Sequence, residues 1–427
     1  MKVLWFTNTP SLAESYINNK PAGGGWIKSL EKEIQRKVEL YVVFYHDKDL
    51  KPFKFGETIY FPIRANTGGK LTELKNRILT KLEPREDIST FLKVIERIKP
   101  DLIHIHGTEN QFGLIQQFTN VPTVVSIQGV ISVCSYRYFI GLSYLDILKH
   151  SKLTDLLLFK SFIQSYKSYS KSALREKEVF KLTKHVIGRT TWDRRIAKVL
   201  APNATYSHND EILRDIFYKV SWSYKPDNTL RLFTTTGHYI YKGLETILYA
   251  AHLLDEQNIK FKWQIAGLSR ESKIVRLTCK KMNKPLSKNV ELLGQLGEDE
   301  LIQHLLQTHI YIMASHIENS PNNLCEAQIL GVPCIATSAG GTSSLVNDND
   351  DGILIQDGDP YVMTGAIIEL MNNYEKAIFY GQNARKKALT RHDPKKIVEE
   401  LLIIYNQLVN CTTKNKADNL MQVVKVM

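Results

Sequence analysis

Short apolar runs alternate with helical stretches along this chain, and that alternation limits its fold more than any other feature. The runs in the first half each end in a polar or glycine-bearing turn: KVLWF, VELYVVFY, PDLIHIHG and VPTVVSIQG. Between them, EDISTFLKVIERIK repeats apolar residues at three- and four-residue steps, which is the helical period. Strand, helix and strand in alternation predict an α/β fold with a parallel sheet covered on both faces.

The second half repeats this scheme with the strand-like runs LRLFTTTG, FKWQIAG, NVELLG, IYIMAS and VPCIATS. A chain of 427 residues is too long for a single core and suits two domains. Pro226 and its polar neighbours interrupt the patterns between the halves. We therefore expect a first domain at 1–224, a second at 225–392, and a C-terminal helix and tail at 393–427 that pack back toward the first domain.

Several protein classes are disfavoured by the sequence. The start, MKVLWFTNTP, is too short in apolar residues for a secretory signal, and no run approaches the roughly 18 apolar residues of a membrane span. The cysteines are scattered without a CxxC pair, which disfavours disulfides and zinc and fits the reducing cytoplasm. They are Cys134, Cys279, Cys325, Cys334 and Cys411.

The positive charge of the chain lies in its first half. Residues 1–200 hold 32 Lys and Arg against 19 Asp and Glu, whereas residues 201–427 hold 24 against 25. Such a surface suits anionic lipid, nucleic acid or a phosphorylated substrate, or is simply a solvated face. No helix-turn-helix, finger or aromatic-basic module is present, so we expect no nucleic-acid partner. No G-x-G-x-x-G follows the first strand, which disfavours a dehydrogenase.

A lysine-rich amphipathic stretch, LTDLLLFKSFIQSYKSYSK, lies in the basic half. Its apolar residues recur at helical steps and are surrounded by lysines, which suits an anionic membrane surface. Packing of the same stripe in the core is the alternative. The stripe consists of Leu153, Leu156, Phe159, Ile163 and Tyr166.

The stretch HIENSPNNLCEAQILGVPCIATSAGG, from 316 to 341, follows a predicted strand. Ser320 suits a helix N-cap, and Pro321 suits the first helical position because its missing N–H costs nothing there. The next backbone N–H groups would then be free at a helix start, an anion site suited to a diphosphate. These are the amides of Asn322, Asn323 and Leu324.

Two glutamates and a lysine surround that predicted helix start. Glu318 lies on the loop before the helix, and Glu326 lies more than one turn inside it, where it can accept hydrogen bonds from vicinal hydroxyls. Lys242 and Gly243 fall between a strand and a helix, where a lysine can reach phosphate oxygens. A charge-assisted bond of this kind is worth about 1.5–3 kcal/mol.

These motifs, taken in order, resemble one enzyme family. The pattern KG…A, then WQIAG, NVELLGQL and E-x7-E-A followed by a Gly-Gly pair, resembles the retaining glycosyltransferases of family 4, also called group 1. The likeness is close over 230–360 and extends to GGGW, DLIHIHG and PTVVSIQG in the first half. GRTTWD and the stretch Glu211 to Tyr218 resemble the bacterial members that build surface polysaccharides. The resemblance implies the GT-B architecture, two facing Rossmann-like, doubly wound domains with a donor cleft between them.

The resemblance also implies roles for individual residues. Glu318 would contact the donor sugar beside its reacting carbon, Glu326 would hold the ribose, and Lys242 would neutralise the diphosphate. The backbone amides of Asn322, Asn323 and Leu324 would contact phosphate. A glycine loop would let the backbone approach the donor closely; it consists of Gly23, Gly24 and Gly25.

This chain departs from the family pattern at two donor-side positions. His238 stands where the family usually has an arginine, so diphosphate binding is weaker or is compensated by another cation such as Arg189. Gln128 stands where a histidine commonly lies at the donor sugar; it can bond a hydroxyl but cannot carry a proton. His106 ends the strand LIHIH in the same layer. We expect it to line the cleft as a third catalytic residue beside Glu318 and Lys242; the alternative is a histidine whose hydrogen bonds are satisfied at the strand end.

The function implied is transfer of a sugar from a nucleotide diphosphate sugar to a glycan or lipid-linked acceptor, without cofactor or metal. We expect the DNDD stretch at 348–351 to form an exposed turn and not a metal site. The expected location is the cytoplasm, at the inner face of the membrane if the basic half meets anionic lipid. The alternative is a protein of the same fold that binds nucleotide sugar or glycan but has lost catalysis, as His238 and Gln128 would suggest.

Overall fold

The computed structural model describes residues 1–18, 25–64, 75–76, 78–82, 87–225 and 227–426, with side chains given as far as 411. Gly23 and Gly24 of the predicted glycine loop, and Pro226, lie outside this described part. Gly25 is described and is the first residue of a helix.

The first domain is built on a sheet in the order β3-β4-β2-β1-β5-β6-β7-β8. All neighbouring strands run parallel except β3 and β4, which form an antiparallel pair. The parallel strands are close to continuous apolar runs because helices cover both faces. The strands are β1 (Lys2–Phe6), β2 (Glu39–His46), β3 (Phe53–Phe55), β4 (Thr58–Arg64), β5 (Leu102–His106), β6 (Thr123–Ser126), β7 (His185–Gly188) and β8 (Thr205–His208).

Helices connect these strands as the α/β pattern predicts. In the stretch EDISTFLKVIERIK, the residues spaced three and four apart turn to the sheet, and Phe91, Ile95 and Ile98 are buried there. The helices of this half are α1 (Glu14–Asn18), α2 (Gly25–Ile34), α3 (Asp87–Ile98), α4 (Ile131–Tyr136), α5 (Tyr144–His150), α6 (Leu153–Leu157), α7 (Phe162–Leu182), α8 (Thr191–Leu200) and α9 (Asp215–Lys219).

The second domain has an all-parallel sheet in the order β11-β10-β9-β12-β13-β14. Its strands are β9 (Leu230–Thr235), β10 (Phe261–Ala266), β11 (Val290–Gly294), β12 (Ile310–Met313), β13 (Cys334–Thr337) and β14 (Ile353–Ile355). Its helices, with the C-terminal one, are α10 (Leu244–Glu256), α11 (Lys273–Met282), α12 (Glu298–Gln307), α13 (Asn322–Leu330), α14 (Pro360–Asn372), α15 (Tyr374–Arg391) and α16 (Pro394–Val426). The expected pair of parallel-sheet domains is confirmed.

Among the described residues, the chain passes from the first domain to the second before β9 and returns to the first with α16. The segment before β9 packs on the second domain, since Leu213 and Phe217 lie in its core and the Trp222 N–H donates to the Leu330 carbonyl at 2.8 Å. The first crossing therefore precedes the expected boundary at 224. Helix α16 returns to the first sheet, as expected, where Leu401 and Tyr405 are buried.

The lysine-rich stretch is divided between core and surface. Ile163 and Tyr166, at the start of α7, pack against a core cluster, which is the alternative considered for the stripe. Leu153, at the start of α6, is 70% exposed, and some of its apolar neighbours in the chain are exposed as well. Within the described residues, no helix combines the length and apolar character needed to cross a bilayer.

Candidate functional site

The helix that follows β12 begins one residue later than the sequence predicts. Asn322 is its first residue, and Pro321 is the N-cap, with no side-chain cap bond. Ser320 is therefore not the cap; its hydroxyl donates instead to Glu211 at 2.6 Å. The Leu324 N–H donates to the Pro321 carbonyl at 3.0 Å, so this amide is used inside the helix. The amides that precede this first bond belong to Asn322 and Asn323, and amides at such a helix start have no partner inside the helix.

The side chains at the start of α13 hold it against the sheet. The Asn323 side-chain amide donates to the Thr235 carbonyl at the end of β9, at 2.9 Å. The Asn322 Oδ1 atom is buried and has no hydrogen-bond partner among the described residues. A buried polar atom without a hydrogen-bond partner lowers the stability of the fold, so a ligand or water that donates a hydrogen bond here would be stabilising.

Lys242 and Glu318 are brought together from separate loops. Lys242 ends a single 3-10 turn, and Gly243 follows with a φ of +71° before α10 begins. The Lys242 ammonium lies 2.5 Å from the Glu318 carboxylate, which also accepts from the Ser315 hydroxyl at 2.8 Å. Glu318 stands four residues before the first residue of α13, so the lysine is bound to the loop that leads into this helix. The two predicted groups share one site, and in this state they neutralise each other.

The Gly-Gly pair at 340–341 supports the loop that carries Glu318. Gly340 has a φ of +59°, and a Cβ atom there would lie 2.0 Å from the Glu318 carbonyl oxygen. A Cβ atom on Gly341 would lie 2.1 Å from the Asn319 carbonyl oxygen, and the Gly341 N–H donates to the Glu318 carbonyl at 2.9 Å. Only glycine permits this approach. The pair therefore fixes the acid loop through backbone contact.

Glu326 is buried on α13 and is held by an arginine that the sequence analysis left without a role. The Arg214 Nε and Nη2 atoms donate to the two Glu326 oxygens, each at 2.8 Å. Burial raises the pKa of Glu326 above its usual range, and the Arg214 charge opposes that rise. A bidentate pair of this geometry is among the strong hydrogen bonds of proteins.

The acid loop also contacts the first domain. The Asn319 side-chain amide donates to the Gln128 carbonyl at 3.1 Å, and its Oδ1 atom accepts from the Thr190 hydroxyl at 2.8 Å. Gln128 therefore contacts the second domain through its backbone carbonyl. These bonds close the two domains over the loop of Glu318.

Arg189, considered as a substitute cation for the diphosphate, is committed elsewhere. It pairs with Glu211 at 3.3 Å and lies 4.1 Å above the Trp26 ring, with little exposed surface. Burial alone would raise the pKa of Glu211, yet its interactions with Arg189 and with its other neighbours lower that pKa to about 2. The charge of Arg189 is thus largely neutralised by Glu211 inside the protein.

Glu211, Cys325 and His392 form the group of potential metal ligands that stands out in the described residues, with ligand atoms within 4.8 Å of one another. The Arg189 guanidinium already occupies the Glu211 carboxylate, and a cation beside it disfavours a metal ion. The DNDD stretch is a turn as expected, although its last residue is buried: Asp351 has no exposed surface and pairs with Lys387.

His106, proposed as a catalytic residue, has no exposed surface. Its ring stacks on His104 with centroids 3.8 Å apart and meets the Trp5 ring edge at 4.5 Å. Burial, followed by the neighbouring His104 and Arg189, holds its pKa well below the usual range, so the ring is neutral. A side chain enclosed in this way cannot contact a substrate without rearrangement, which corrects the expectation that it lines the cleft.

His238 is exposed and lies apart from the Lys242–Glu318 pair. It lines a shallow cavity of about 470 Å³ with residues such as Ser269 and Lys273. A larger cavity, of about 670 Å³, lies beside the start of α8 and is lined by Arg194, Lys198 and their neighbours, but not by the predicted donor residues. The two glutamates of the predicted donor site instead form ion pairs, Glu318 with Lys242 and Glu326 with Arg214.

His316 lies between two carboxylates of its own domain, one of which also binds an arginine of the first domain. Its Nε2 atom lies 2.5 Å from Glu245, its Nδ1 atom lies 3.2 Å from Asp357, and Asp357 also accepts from Arg137 of the first domain at 2.7 Å. Burial alone would lower the pKa of His316, but the two carboxylates raise it above the usual value. A protonated His316 therefore strengthens this interdomain chain.

Sequence reasoning missed Arg214 as a member of the site. Its signal was present in the stretch Glu211 to Tyr218, which resembles a motif of the family but carries no role by itself. The spacing of this motif says nothing about Glu326, more than a hundred residues away.

Comparison with known proteins shows similarity to one enzyme family over the second domain. The family model for glycosyl transferases group 1 matches residues 220–387. An uncharacterized glycosyltransferase of Methanocaldococcus jannaschii is 26% identical over 184 residues, which are 43% of this chain and 46% of that protein. The Escherichia coli enzyme UDP-Gal:alpha-D-GlcNAc-diphosphoundecaprenol alpha-1,3-galactosyltransferase is 27% identical over 124 residues, 29% of this chain and 31% of that enzyme. The match thus spans less than half the length of either relative.

The fold extends this likeness over the whole chain. Sucrose-phosphate synthase from Thermosynechococcus elongatus superimposes with a TM-score of 0.71 and 15% identity, covering 96% of this chain and 99% of that one. At this identity the likeness concerns the fold alone. Residues 220–387, which form most of the second domain, are therefore similar to the glycosyl transferases group 1, and the chain as a whole has the two-domain GT-B fold.

Proposed function

We propose that this protein is a retaining, metal-independent glycosyltransferase that moves a sugar from a nucleotide diphosphate sugar to a glycan or lipid-linked acceptor in bacterial surface-polysaccharide synthesis. The observation that carries the proposal is the meeting of Lys242 with Glu318 just before the start of α13. A cation, an acid and free helix amides in one place are what a leaving diphosphate and a reacting sugar require.

The reaction follows from the charges that these groups carry. As the bond between the anomeric carbon and the diphosphate oxygen breaks, negative charge grows on the diphosphate and positive charge grows on the sugar ring. The Lys242 ammonium and the amides of Asn322 and Asn323 stabilise the diphosphate. Glu318 orients the sugar and lies near the cationic carbon. The acceptor hydroxyl attacks from the same face and passes its proton to the departing diphosphate oxygen, so no protein base is required.

The internal ion pairs prepare the site for this exchange. The donor diphosphate competes with Glu318 for the Lys242 ammonium, and the donor supplies both an anion for the lysine and hydroxyls for the acid. The positive half of the chain and the lipid-diphosphate acceptor named for the E. coli relative support an acceptor of that chemical class.

A panel of nucleotide sugars tests the proposal. We expect one donor class, with UDP-sugars tried first because of the E. coli relative, to raise the melting temperature by a few degrees at saturating concentration. Without acceptor, the same donor should be hydrolysed slowly, and EDTA should not stop this hydrolysis. NMR of the released sugar should show the same anomeric configuration, α or β, as in the donor. Binding without any turnover would favour the catalytically impaired alternative. If no nucleotide sugar binds, the proposal fails.

We also propose that the first domain docks on an anionic membrane through α5 and α6. Six large apolar side chains in α5, in α6 and directly after α6 are 41–74% exposed, and such a group of exposed apolar side chains is unusual. Lys149, Lys152 and Lys160 lie among them and are exposed. Apolar side chains flanked by lysines suit an anionic bilayer surface. The six residues, called here the leucine patch, are Tyr144, Leu145, Leu148, Leu153, Leu157 and Leu158.

Vesicle sedimentation tests the leucine patch. The wild-type protein should bind vesicles that contain phosphatidylglycerol at low salt, bind less at high salt, and ignore phosphatidylcholine vesicles. Replacing Leu145, Leu153 and Leu157 with serine should lower binding about tenfold or more, because each buried leucine contributes about 1.5–3 kcal/mol when fully buried. The matched control is Val199→Ser, at a side chain that is 76% exposed on another helix. Equal loss in the control, or no binding at low salt, would remove the membrane proposal.

A further inference from the structure

Arg214 fills the space between two features that the sequence assigns to the donor. On one side its guanidinium makes the bidentate bond to Glu326, at 2.8 Å for each pair of atoms. On the other side its stem touches α2, since a Cβ atom on Gly25 would lie 2.8 Å from the Arg214 Cγ and Cδ atoms. The acid was assigned to the ribose and the glycine to close approach of the donor. One side chain therefore stands where both assignments require a ligand.

The chemistry of the pair explains why an arginine is found there. Glu326 is buried, with 8% of its side chain exposed, and a buried carboxylate needs hydrogen-bond donors at both oxygens. The guanidinium supplies two parallel N–H groups, and the vicinal hydroxyls of a ribose supply two O–H groups. Arginine and ribose are thus equivalent partners for the same two oxygens, and they cannot both bind them in full.

The surroundings of Arg214 allow it to move without leaving the site. It precedes the short helix α9, and its guanidinium lies 4.7 Å above the Phe217 ring, which offers an apolar platform. Glu326 stands four residues after the first residue of α13, which is roughly 6 Å along the helix axis. A guanidinium released from Glu326 can cover that distance by rotation of its own side chain.

The family resemblance implies a second cation at the diphosphate, besides Lys242. His238 stands where the family resemblance expects an arginine, and it is exposed beside Ser269 and Lys273. Arg189, the other candidate, is neutralised by Glu211. Arg214 is held by a single acid, and that acid is the one whose predicted ligand would displace it.

We propose that Arg214 is an exchangeable nucleotide-site residue: it closes over Glu326 when the site is empty, and it turns to the diphosphate when the ribose takes its place. This inference rests on the proposed function. It adds a specificity for nucleoside diphosphates over nucleosides, because a nucleoside must displace Arg214 from Glu326 without offering it a new anion. A nucleoside diphosphate offers both.

Calorimetry on the full chain separates this role from a structural one. In Arg214→Gln, we expect the affinity for UDP to fall about ten- to a hundredfold, because a charge-assisted bond is lost. The affinity for uridine should rise about threefold or more, because its competitor for Glu326 is gone. The two probes thus move in opposite directions. If the donor panel favours another base, its diphosphate and nucleoside replace UDP and uridine.

Two further variants keep the test decisive. Arg231→Gln, at an arginine paired with Asp227 on the surface, is the matched control and should change neither affinity. Arg214→Lys keeps the charge without the bidentate bond. In this variant uridine should again bind more tightly than in the wild type, and UDP should recover part of the affinity lost in Arg214→Gln. If Arg214→Gln does not fold, Arg214→Lys decides the test. A parallel fall for both probes, or a uridine affinity that does not rise, overturns the inference. If the wild-type protein binds no nucleoside diphosphate, the proposed function fails instead.

Discussion

Replacing Lys242 with alanine should lower kcat/KM for the donor about 100- to 1,000-fold, the range seen when a preorganised charge-stabilising donor is removed. The lysine is 26% exposed and lies 2.5 Å from Glu318, so it is bound to the loop that precedes α13. Nucleoside diphosphate affinity should also fall, by about tenfold or more, because a net 1.5–3 kcal/mol is lost. Donor hydrolysis and calorimetry measure the two effects.

The matched control for this variant is Lys262→Ala. Lys262 also forms an ion pair with a glutamate, but its side chain is 51% exposed on the outer part of the second sheet. A second comparison separates catalysis from folding: Lys242→Ala leaves Glu318 unpaired at 12% exposure, which costs stability. In the double variant Lys242→Ala with Glu318→Gln, the melting temperature should recover while turnover stays low. If Lys242→Ala turns over the donor as fast as the control Lys262→Ala does, the role of Lys242 at the diphosphate is contradicted.

The substitution Glu318→Gln should lower the turnover of the donor without weakening the binding of the nucleoside diphosphate. We expect kcat to fall about 100-fold, since the carboxylate orients the sugar and faces the developing cation. The affinity for the nucleoside diphosphate should stay within about threefold of wild type or increase, because that ligand has no sugar and Lys242 loses its internal competitor. Steady-state kinetics with the donor and calorimetry with the diphosphate give the two numbers.

A pair of glutamine variants controls this prediction. Glu326→Gln should show the opposite pattern, with nucleotide affinity reduced, because its carboxylate lies on α13 at the predicted ribose position. Glu291→Gln, at a surface acid paired with Lys262, should change neither quantity. If Glu318→Gln and Glu326→Gln lower turnover and affinity in the same proportion, the separate roles of the two acids are wrong.

The strands and the order of the two domains could be predicted because they depend on local patterns. Runs such as LIHIH and IYIM are apolar throughout, and both form buried strands. The helix that contains Phe91 and Ile95 could be predicted from its period alone. Lys242 and Glu318 could be paired because each follows a strand, and the carboxyl ends of parallel strands meet at one edge of a sheet.

The remaining errors concern contacts that no local pattern encodes. His106 was expected in the cleft because it ends a strand, but Trp5 and His104 enclose it from neighbouring strands. Ser320 has the residue type of an N-cap, yet a distant acid, Glu211, takes its hydroxyl. Arg214 meets Glu326 across 112 positions of sequence. Pairings at such separations depend on how the domains close, which sequence spacing does not show.

The structure of the protein bound to its nucleoside diphosphate is the most direct test of the central claim. We predict the two phosphates between the Lys242 ammonium and the backbone amides of Asn322 and Asn323, within hydrogen-bond distance of about 3 Å of both. In that complex Lys242 should have left Glu318. A diphosphate bound away from the start of α13, or a Lys242 still paired with Glu318 while the ligand is present, would contradict the account.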